Sequence, residues 1–254
     1  VEKGEARPAD VKLSVRNLTV RDSRGVTMVD DVSFDIRAGE IVGIAGVDGN
    51  GQTELAEAIV GLTETQAGTI TLNGRDITTA SVPERLQAGM GFVPEDRLDR
   101  GLSITMSVAE NLAATNYARA GLTRSGLVDV ARRDAFASEK IAEFDVRGAV
   151  PATPAGQLSG GNMQKLVIAR ELNRDPELLV ICQPTRGLDI GAAEFIYSRM
   201  MAAADRGRAV LLISSELSEI FALSDRIGVM YSGQLLKVLD RKHADEVGVG
   251  QLMN

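Results

Sequence analysis

The stretch Gly46-Val-Asp-Gly-Asn-Gly-Gln-Thr53 decides the fold, because its spacing is that of a phosphate-binding loop. In the pattern G-x-x-x-x-G-K-[ST], backbone N–H groups wrap the phosphates, a lysine neutralises their charge and a hydroxyl binds magnesium. Here Thr53 supplies the hydroxyl, but Gln52 stands where the lysine belongs. The neutral amide of glutamine can still donate a hydrogen bond to the phosphates, but it lacks the charge-assisted contribution to binding, about 1.5–3 kcal/mol. Taken alone, the stretch also fits a glycine-rich turn that binds nothing.

The residues on both sides of this loop predict a strand before it and a helix after it. Residues 41–45 form an unbroken apolar run, typical of a buried parallel strand, and residues 54–60 favour the helix that such a loop opens. A short helix is predicted over 83–87. Further strands are predicted over 13–20, 32–36, 69–72, 90–93, 178–182 and 209–213, with a closing hairpin of 226–231 and 234–239.

Between residues 96 and 173 the pattern changes to that of helices. Helical patterns cover 108–117, 130–144 and 162–172, and strand signals are absent there. We therefore predict one nucleotide-binding domain over 11–254, whose core (11–95 and 174–254) is interrupted by a helical subdomain (96–173). The charged, proline-containing stretch 1–10 is predicted to be a linker, which suggests a piece of something longer.

Composition disfavours several classes of function. The 254-residue chain carries a net charge of −7 without a basic stripe, which argues against nucleic-acid binding. No apolar run reaches the about 18–20 residues of a membrane span. The single cysteine, Cys182, cannot form a disulfide within the chain. These features predict a soluble domain of a reducing, cytosolic compartment.

A second motif, Leu158-Ser-Gly-Gly-Asn-Met-Gln-Lys165, stands where a loop leads into a helix. Ser159 and the N–H groups of Gly160 and Gly161 would lie at the helix N-terminus, where backbone donors and the helix dipole favour an anion. An ordinary N-cap at Ser159 explains the same residues.

The two motifs together resemble those of the ATP-binding-cassette (ABC) ATPases. Four further segments match in the family's order: 92–97 resembles the Q-loop, 178–185 the Walker B strand, 186–189 the D-loop and 211–217 the switch strand. The resemblance covers nearly all of residues 13–239. It implies an α/β fold with a RecA-like mixed sheet as core, an N-terminal antiparallel β subdomain and an inserted α-helical signature subdomain.

The resemblance also implies the site residues. It places ATP with Mg²⁺ on the loop, and in a head-to-tail dimer it places the signature Ser159-Gly160-Gly161 against ATP held by a partner, with Asp189 coupling the two sites. Thr53 and Glu95 are the implied magnesium contacts. The implied nucleotide contacts of this chain's own site are Gly46, Asp48, Gly49, Asn50, Gly51, Gln52, Thr53 and Glu95.

Departures from the family pattern cluster in this chain's own nucleotide site. Besides Gln52, Cys182 replaces the Walker B aspartate, and Gln183 replaces the glutamate expected to polarise water. Ser215 stands at the switch-histidine position and Glu95 at the Q-loop glutamine. An amide cannot act as a general base, and phosphoryl transfer depends on positioned charge. We therefore expect weak ATP and Mg²⁺ binding and little or no hydrolysis by the isolated chain.

This pattern is similar to the C-terminal cassette of double-cassette ATPases that serve bacterial importers of simple sugars or purine nucleosides. Gln183 and Asp48 favour the nucleoside branch. The implied partners are an N-terminal cassette of the same polypeptide, transmembrane permease subunits and, indirectly, a substrate-binding lipoprotein, at the cytoplasmic face of the membrane. One alternative is a non-catalytic regulatory nucleotide-binding module, which would have no need of Ser159-Gly160-Gly161 together with Asp189. The other is a soluble ABC protein outside transport, but such relatives usually keep both catalytic carboxylates or carry long arms and basic patches.

Overall fold

The computed structural model describes residues 9–117 and 121–253, so most of the linker predicted over 1–10 lies outside the described residues. In chain order, the described strands and helices are β1 Val11–Arg21, β2 Thr27–Arg37, β3 Ile41–Ala45, α1 Gln52–Val60, β4 Thr65–Leu72, β5 Arg75–Asp76, α2 Val82–Gln87, β6 Met90–Val93, α3 Val108–Ala113, β7 Thr123–Arg124, β8 Leu127–Val128, α4 Val130–Glu143, α5 Gly160–Leu172, β9 Leu178–Cys182, α6 Ile190–Asp205, β10 Ala209–Ser214, α7 Leu217–Leu223, β11 Arg226–Tyr231, β12 Gln234–Asp240 and α8 Glu246–Leu252.

The chain divides into two compact units. The first contains the described residues of Val1–Phe92, Pro176–Gln183 and Tyr197–Asn254, and the second contains those of Val93–Asp175 and Pro184–Ile196. The division between a core and an inserted segment follows the change of sequence pattern near residue 95. The second unit also takes in the stretch after Gln183, which the sequence pattern assigns to the core.

The first unit holds two sheets over a shared apolar core. The six-stranded sheet has the order β12-β11-β3-β10-β9-β6, and the four-stranded sheet has the order β2-β1-β4-β5. Strand β3 is parallel to β10 and β11, whereas β1 is antiparallel to β2 and β4. This is the mixed core sheet with an antiparallel β subdomain that the sequence predicts, so the fold class is confirmed.

Burial explains why these segments are strands. Every residue of β3, β9 and β10 is buried, as expected for continuous apolar runs in the middle of a parallel sheet. In β2 the alternating residues Val32, Phe34 and Ile36 are buried. Cys182 is only 6% exposed and packs in the same core, where it serves as a small apolar side chain.

The second unit is mainly helical but contains a hairpin that the sequence analysis missed. Strands β7 and β8 pair in antiparallel fashion around Ser125 and Gly126, whose φ angles of 52° and 81° fit a two-residue hairpin turn with both central residues left-handed. The expectation of no strands between 96 and 173 was therefore wrong. Two-residue strands with exposed side chains leave no alternation of apolar and polar residues to detect.

Helix lengths in this unit differ little from the prediction. Helix α3 ends at Ala113, four residues before the predicted end, whereas α4 and α5 lie within two residues of theirs. Among the described residues, none of the helices is both long and apolar enough to cross a membrane.

Candidate functional site

The phosphate-binding loop joins β3 to α1 in the first unit. Gly49 and Gly51 have φ angles of 89° and 99°, a left-handed conformation that glycine adopts without strain. Gly51 is also crowded, because a Cβ placed on it would lie 2.0 Å from the carbonyl oxygen of Met28. Both the backbone conformation and the lack of space for a Cβ therefore favour glycine at position 51.

Replacing Gly51 by alanine is expected to destabilise the first unit by about 2–4 kcal/mol, because a positive φ and a backbone clash add together. Chemical denaturation monitored by circular dichroism measures this loss. Gly49→Ala is the matched control, since its φ is similar but a Cβ there would meet nothing within 4 Å. Equal losses for the two variants would contradict the steric argument.

Asn50 holds the phosphate-binding loop in place through three hydrogen bonds. Its Oδ1 accepts a hydrogen bond from the N–H of Ser232 at 2.8 Å, and its carbonyl accepts one from the N–H of Gly233 at 3.1 Å. Its Nδ2 donates to the carbonyl of Val47 at 3.0 Å. The loop is thus tied to the turn between β11 and β12.

Gln52 is folded back into the loop. Its side chain is buried, and Nε2 donates to the carbonyl oxygen of Val47 at 3.0 Å. A Cβ placed on Gly46 would lie 2.1 Å from this Nε2, so the amide fills the space beside that glycine. The group that replaces the lysine is therefore satisfied inside the loop and brings no positive charge.

The first turn of α1 still fits a phosphate. Gly51 caps the helix in a left-handed conformation, and within the described part of the chain no side chain caps the first N–H groups. Helix N-termini with unused N–H groups favour anions. Thr53, the second helical residue, is exposed and offers its hydroxyl. The backbone cradle and the hydroxyl of a nucleotide site are present, without the cation.

Gln183 lies at the end of β9 and has a φ angle of 46°, unusual for a residue with a side chain. Its Oε1 accepts hydrogen bonds from the N–H and Oγ of Ser215 at 3.1 and 3.3 Å. Its Nε2 donates to Oδ1 of Asp48 at 3.3 Å. A glutamate at this position would face the carboxylate of Asp48, so Gln183 and Asp48 form a matched donor and acceptor.

These contacts bring three predicted site residues together in the first unit, namely Asp48, Gln183 and Ser215. Among the described residues, no group of three His, Cys, Asp or Glu side chains is placed to hold a metal ion. Thr53 belongs to the first unit and Glu95 to the second, so their shared magnesium role stays a prediction.

The signature motif opens α5 in the second unit, as predicted. Ser159 is the N-cap, and its Oγ accepts hydrogen bonds from the N–H and Nδ2 of Asn162 at 3.4 and 2.9 Å. The N-cap interpretation of Ser159 is therefore confirmed, and it is compatible with a second role because the hydroxyl proton is still available to a ligand.

The signature residue Gly161 packs closely against the start of α6. A Cβ on Gly161 would lie 3.1 Å from the Cβ of Ala192 and 3.6 Å from Oδ2 of Asp189. Asp189 caps α6, because its Oδ1 accepts a hydrogen bond from the N–H of Ala192 at 2.9 Å. The signature and the D-loop aspartate thus lie side by side.

Lys165 anchors α5 one turn beyond the signature. Its Nζ donates to Oδ2 and to the carbonyl oxygen of Asp145, both at 2.9 Å, and lies 4.7 Å from the ring centre of Phe195. Hydrogen bonds from Lys165 and then Arg147 lower the pKa of the Asp145 carboxyl below its ordinary value. The carboxylate therefore stays charged at neutral pH and holds the helix.

Two arginines, Arg97 and Arg186, take part in a network that was not predicted from the sequence. Residues Arg97–Gly101 form a single π-helical turn capped by Asp96. Arg97 Nη1 donates to the carbonyl oxygen of Arg186 at 3.2 Å, and the side chain of Arg186 pairs with Glu95. No spacing rule links Glu95 to Arg186 across 91 positions.

Comparison with known proteins identifies the family of this chain. The family model described as ABC transporter matches residues 29–186. The nucleoside import ATP-binding protein NupA of Lactococcus lactis is 47% identical over 252 residues, which are 99% of this chain and 50% of that protein. The guanosine import ATP-binding protein NupO of Bacillus subtilis is 43% identical over 99% of this chain and 49% of that protein.

The ribose import ATP-binding protein RbsA of Shouchella clausii is 38% identical over 95% of this chain and 47% of its own length. The chain thus spans about half the length of the curated relatives it matches. Among solved structures, the dimeric post-hydrolysis state of the cassette MJ0796 bound to ADP and Pi aligns with a TM-score of 0.78 at 21% identity, covering 90% of this chain and 98% of that one.

The ADP form of MJ1267, an ATP-binding cassette of an ABC transporter, aligns with a TM-score of 0.75 at 22% identity, covering 96% of this chain and 95% of that chain. These structural matches establish the fold. The family match covers more than half of the chain and spans the phosphate-binding loop and the signature. The chain belongs to the ABC transporter family of ATP-binding cassettes.

Proposed function

We propose that this chain is the energy-coupling cassette of an importer for nucleosides or simple sugars and that it forms the C-terminal, degenerate half of a double-cassette ATPase. The observation that carries the proposal is the contrast between its two half-sites. The phosphate-binding loop lacks its cation and Gln183 cannot act as a base, whereas Ser159, Gly160 and Gly161 retain the signature chemistry.

The chain's own nucleotide site is proposed to bind ATP weakly and to support no hydrolysis. The backbone cradle between Gly46 and Thr53 and the exposed first turn of α1 would hold the phosphates. Gln52 contributes no charge, and its amide is already bonded to Val47. Mg²⁺ would be held mainly by the phosphates, with Thr53 and Glu95 as the predicted protein ligands. Such a site stabilises a closed dimer rather than performing chemistry.

The signature half-site is proposed to act on ATP bound to a partner cassette. Ser159 and the N–H groups of Gly160 and Gly161 would donate to its γ-phosphate, and Asp189, which lies beside Gly161, would couple the two sites. The proposed partner cassette is the N-terminal half of the same polypeptide, consistent with relatives about twice as long as this chain. Hydrolysis there would reopen the dimer and drive the permease.

Transport partners follow from the same relatives. Permease subunits, and indirectly a substrate-binding lipoprotein, are the proposed partners at the cytoplasmic face of the membrane. Nucleosides are the favoured cargo because a protein named for nucleoside import shares 47% identity with this chain, against 42% for a protein named for glucose import and 38% for one named for ribose import. A regulatory nucleotide-binding module or a soluble ABC protein is the alternative function.

Uptake by membrane vesicles tests the proposal. The full-length protein that carries this chain, reconstituted with its proposed permease subunits, is expected to import labelled guanosine in an ATP-dependent manner and to leave labelled ribose outside. Import of ribose alone would reassign the cargo. If neither the permease nor a solute changes the rate of ATP hydrolysis, the soluble alternative is favoured.

A further inference from the structure

Arg97 lies against the first residue of the signature helix α5. A Cβ placed on Gly160 would be 3.0 Å from Nη2 and 3.6 Å from the guanidinium carbon of Arg97. The guanidinium therefore packs over the glycine, in the direction that a side chain at this position would take. This places a permanent positive charge beside the signature.

This guanidinium has hydrogen-bonding capacity to spare. Its Nη1 donates to the carbonyl oxygen of Arg186 at 3.2 Å, the one hydrogen bond that the Arg97 side chain makes among the residues the structure describes. A guanidinium carries five N–H donors in a planar fork that matches phosphate oxygens. Within the described residues, the neighbouring Asp96 makes no hydrogen bond to this guanidinium and interacts with it through charge alone, while its Oδ1 accepts from the N–H groups of Leu98 and Asp99.

Glu95 and Arg186 hold this arginine in place. The Glu95 carboxylate forms an ion pair with the side chain of Arg186, whose carbonyl oxygen in turn receives the hydrogen bond from Arg97. The Q-loop position and the D-loop segment are thus linked through one arginine, and the second arginine is fixed beside Gly160. The ion pair with Arg186 explains why a glutamate stands at the Q-loop glutamine position, because the amide of a glutamine could not form it.

We propose that Arg97 contacts the γ-phosphate of the ATP served by the signature motif, and that Glu95 and Arg186 are positioning residues for Arg97. The inference rests on the proposed function, because it needs a partner's ATP at Ser159, Gly160 and Gly161. It gives Glu95 a role different from the magnesium contact predicted from the sequence. A guanidinium adds charge-assisted donors where phosphoryl transfer develops negative charge.

Steady-state ATP hydrolysis by the full-length protein with its permease tests this role. Arg97→Ala is expected to lower kcat about ten- to hundredfold while changing KM less, because a contact to developing charge is strongest in the transition state. Arg97→Lys keeps the charge but not the planar fork, so its kcat is expected to lie between those of the wild type and of Arg97→Ala. Arg100→Ala, which removes an exposed arginine of the same turn, is the matched control and is expected to keep full activity.

The positioning role predicts non-additive effects. Glu95→Gln and Arg186→Ala are expected to lower kcat less than Arg97→Ala does, and neither is expected to lower it further in an Arg97→Ala background. Thermal unfolding of each variant identifies any loss that comes from misfolding, and Arg97→Lys retains the long side chain where alanine destabilises the turn. Additive losses would contradict the positioning of Arg97 by this pair.

A signature variant separates failure of this inference from failure of the proposed function. If Ser159→Arg abolishes hydrolysis while Arg97→Ala and Arg97→Lys retain the wild-type kcat, Arg97 does not contact the phosphate and the inference is wrong. If Ser159→Arg also hydrolyses ATP at the wild-type rate, the signature is unused, and the proposed function fails together with the inference.

Discussion

Replacing Gln52 by lysine is expected to tighten ATP–Mg²⁺ binding by the isolated chain about ten- to hundredfold. The lysine restores a charge-assisted hydrogen bond to the phosphates, and it removes the amide that now fills the space beside Gly46. Adding Cys182→Asp and Gln183→Glu supplies the two missing carboxylates and is expected to strengthen the dependence of binding on Mg²⁺. Isothermal titration calorimetry with and without Mg²⁺ measures both effects.

The carboxylate of Asp48 is expected to affect ATP–Mg²⁺ binding when a glutamate is introduced at position 183. Because Gln183 Nε2 lies 3.3 Å from Oδ1 of Asp48, Gln183→Glu alone would place two carboxylates together. The same restoration combined with Asp48→Asn is therefore expected to bind ATP–Mg²⁺ more tightly than the restoration alone. Unchanged affinity in every one of these variants would show that the loop is closed to nucleotide for a reason other than its missing charges.

Replacing Ser159 by arginine is expected to lower ATP hydrolysis by the full-length protein at least about 100-fold, the loss typical of one removed oxyanion donor. The substitution removes the hydroxyl and places a bulky side chain at the start of α5, where the partner's γ-phosphate is proposed to sit. Phosphate release in the presence of the permease measures the effect. The lost N-cap costs about 1 kcal/mol of stability, so unfolding is monitored in parallel.

Ser138→Arg provides the matched control for this substitution. Ser138 is an exposed serine on α4 in the same unit, and its hydroxyl makes only a local hydrogen bond to the carbonyl of Asp134 at 2.8 Å. It is expected to leave hydrolysis unchanged. Equal activity of the Ser159 and Ser138 variants would mean that hydrolysis does not use this chain's signature.

The proposed difference between the two half-sites lies in which atoms would do the chemistry. In this chain's own nucleotide site, charge and proton acceptance would come from the side chain at position 52 of the phosphate-binding loop and from those at positions 182 and 183 at the end of β9, where glutamine, cysteine and glutamine stand. In the signature, the donors are a hydroxyl and backbone N–H groups, which depend on the fold of α5 rather than on titratable side chains. A fold that keeps α5 capped and anchored by Lys165 would therefore keep the proposed second half-site.

The fold could be read largely from local patterns. The apolar runs that became β3, β9 and β10 are buried at every residue, and the Ser232-Gly233 turn joins β11 to β12 as predicted. The loop and the signature were found because their function depends on fixed short spacings. The hairpin around Ser125 and Gly126 was missed because its strands are too short to show a pattern.

The parts of the site that the sequence could not give are long-range contacts. Gln183 meets Asp48 across 135 positions, and Arg186 meets Glu95 across 91. A single sequence carries no signal for such pairs, since each partner alone fits a solvated surface residue. The folding of Gln52 back onto Val47 depends on rotamer and loop geometry, which spacing does not encode.

ATP turnover by the isolated wild-type chain with Mg²⁺, followed by phosphate release and accompanied by calorimetric binding, tests the degenerate-site proposal most directly. The proposal predicts weak binding and no turnover above the uncatalysed background. Turnover of about 1 per second or faster, within the usual range of enzymes, would contradict it. Gln52 and Gln183 would then belong to a working variant of the site.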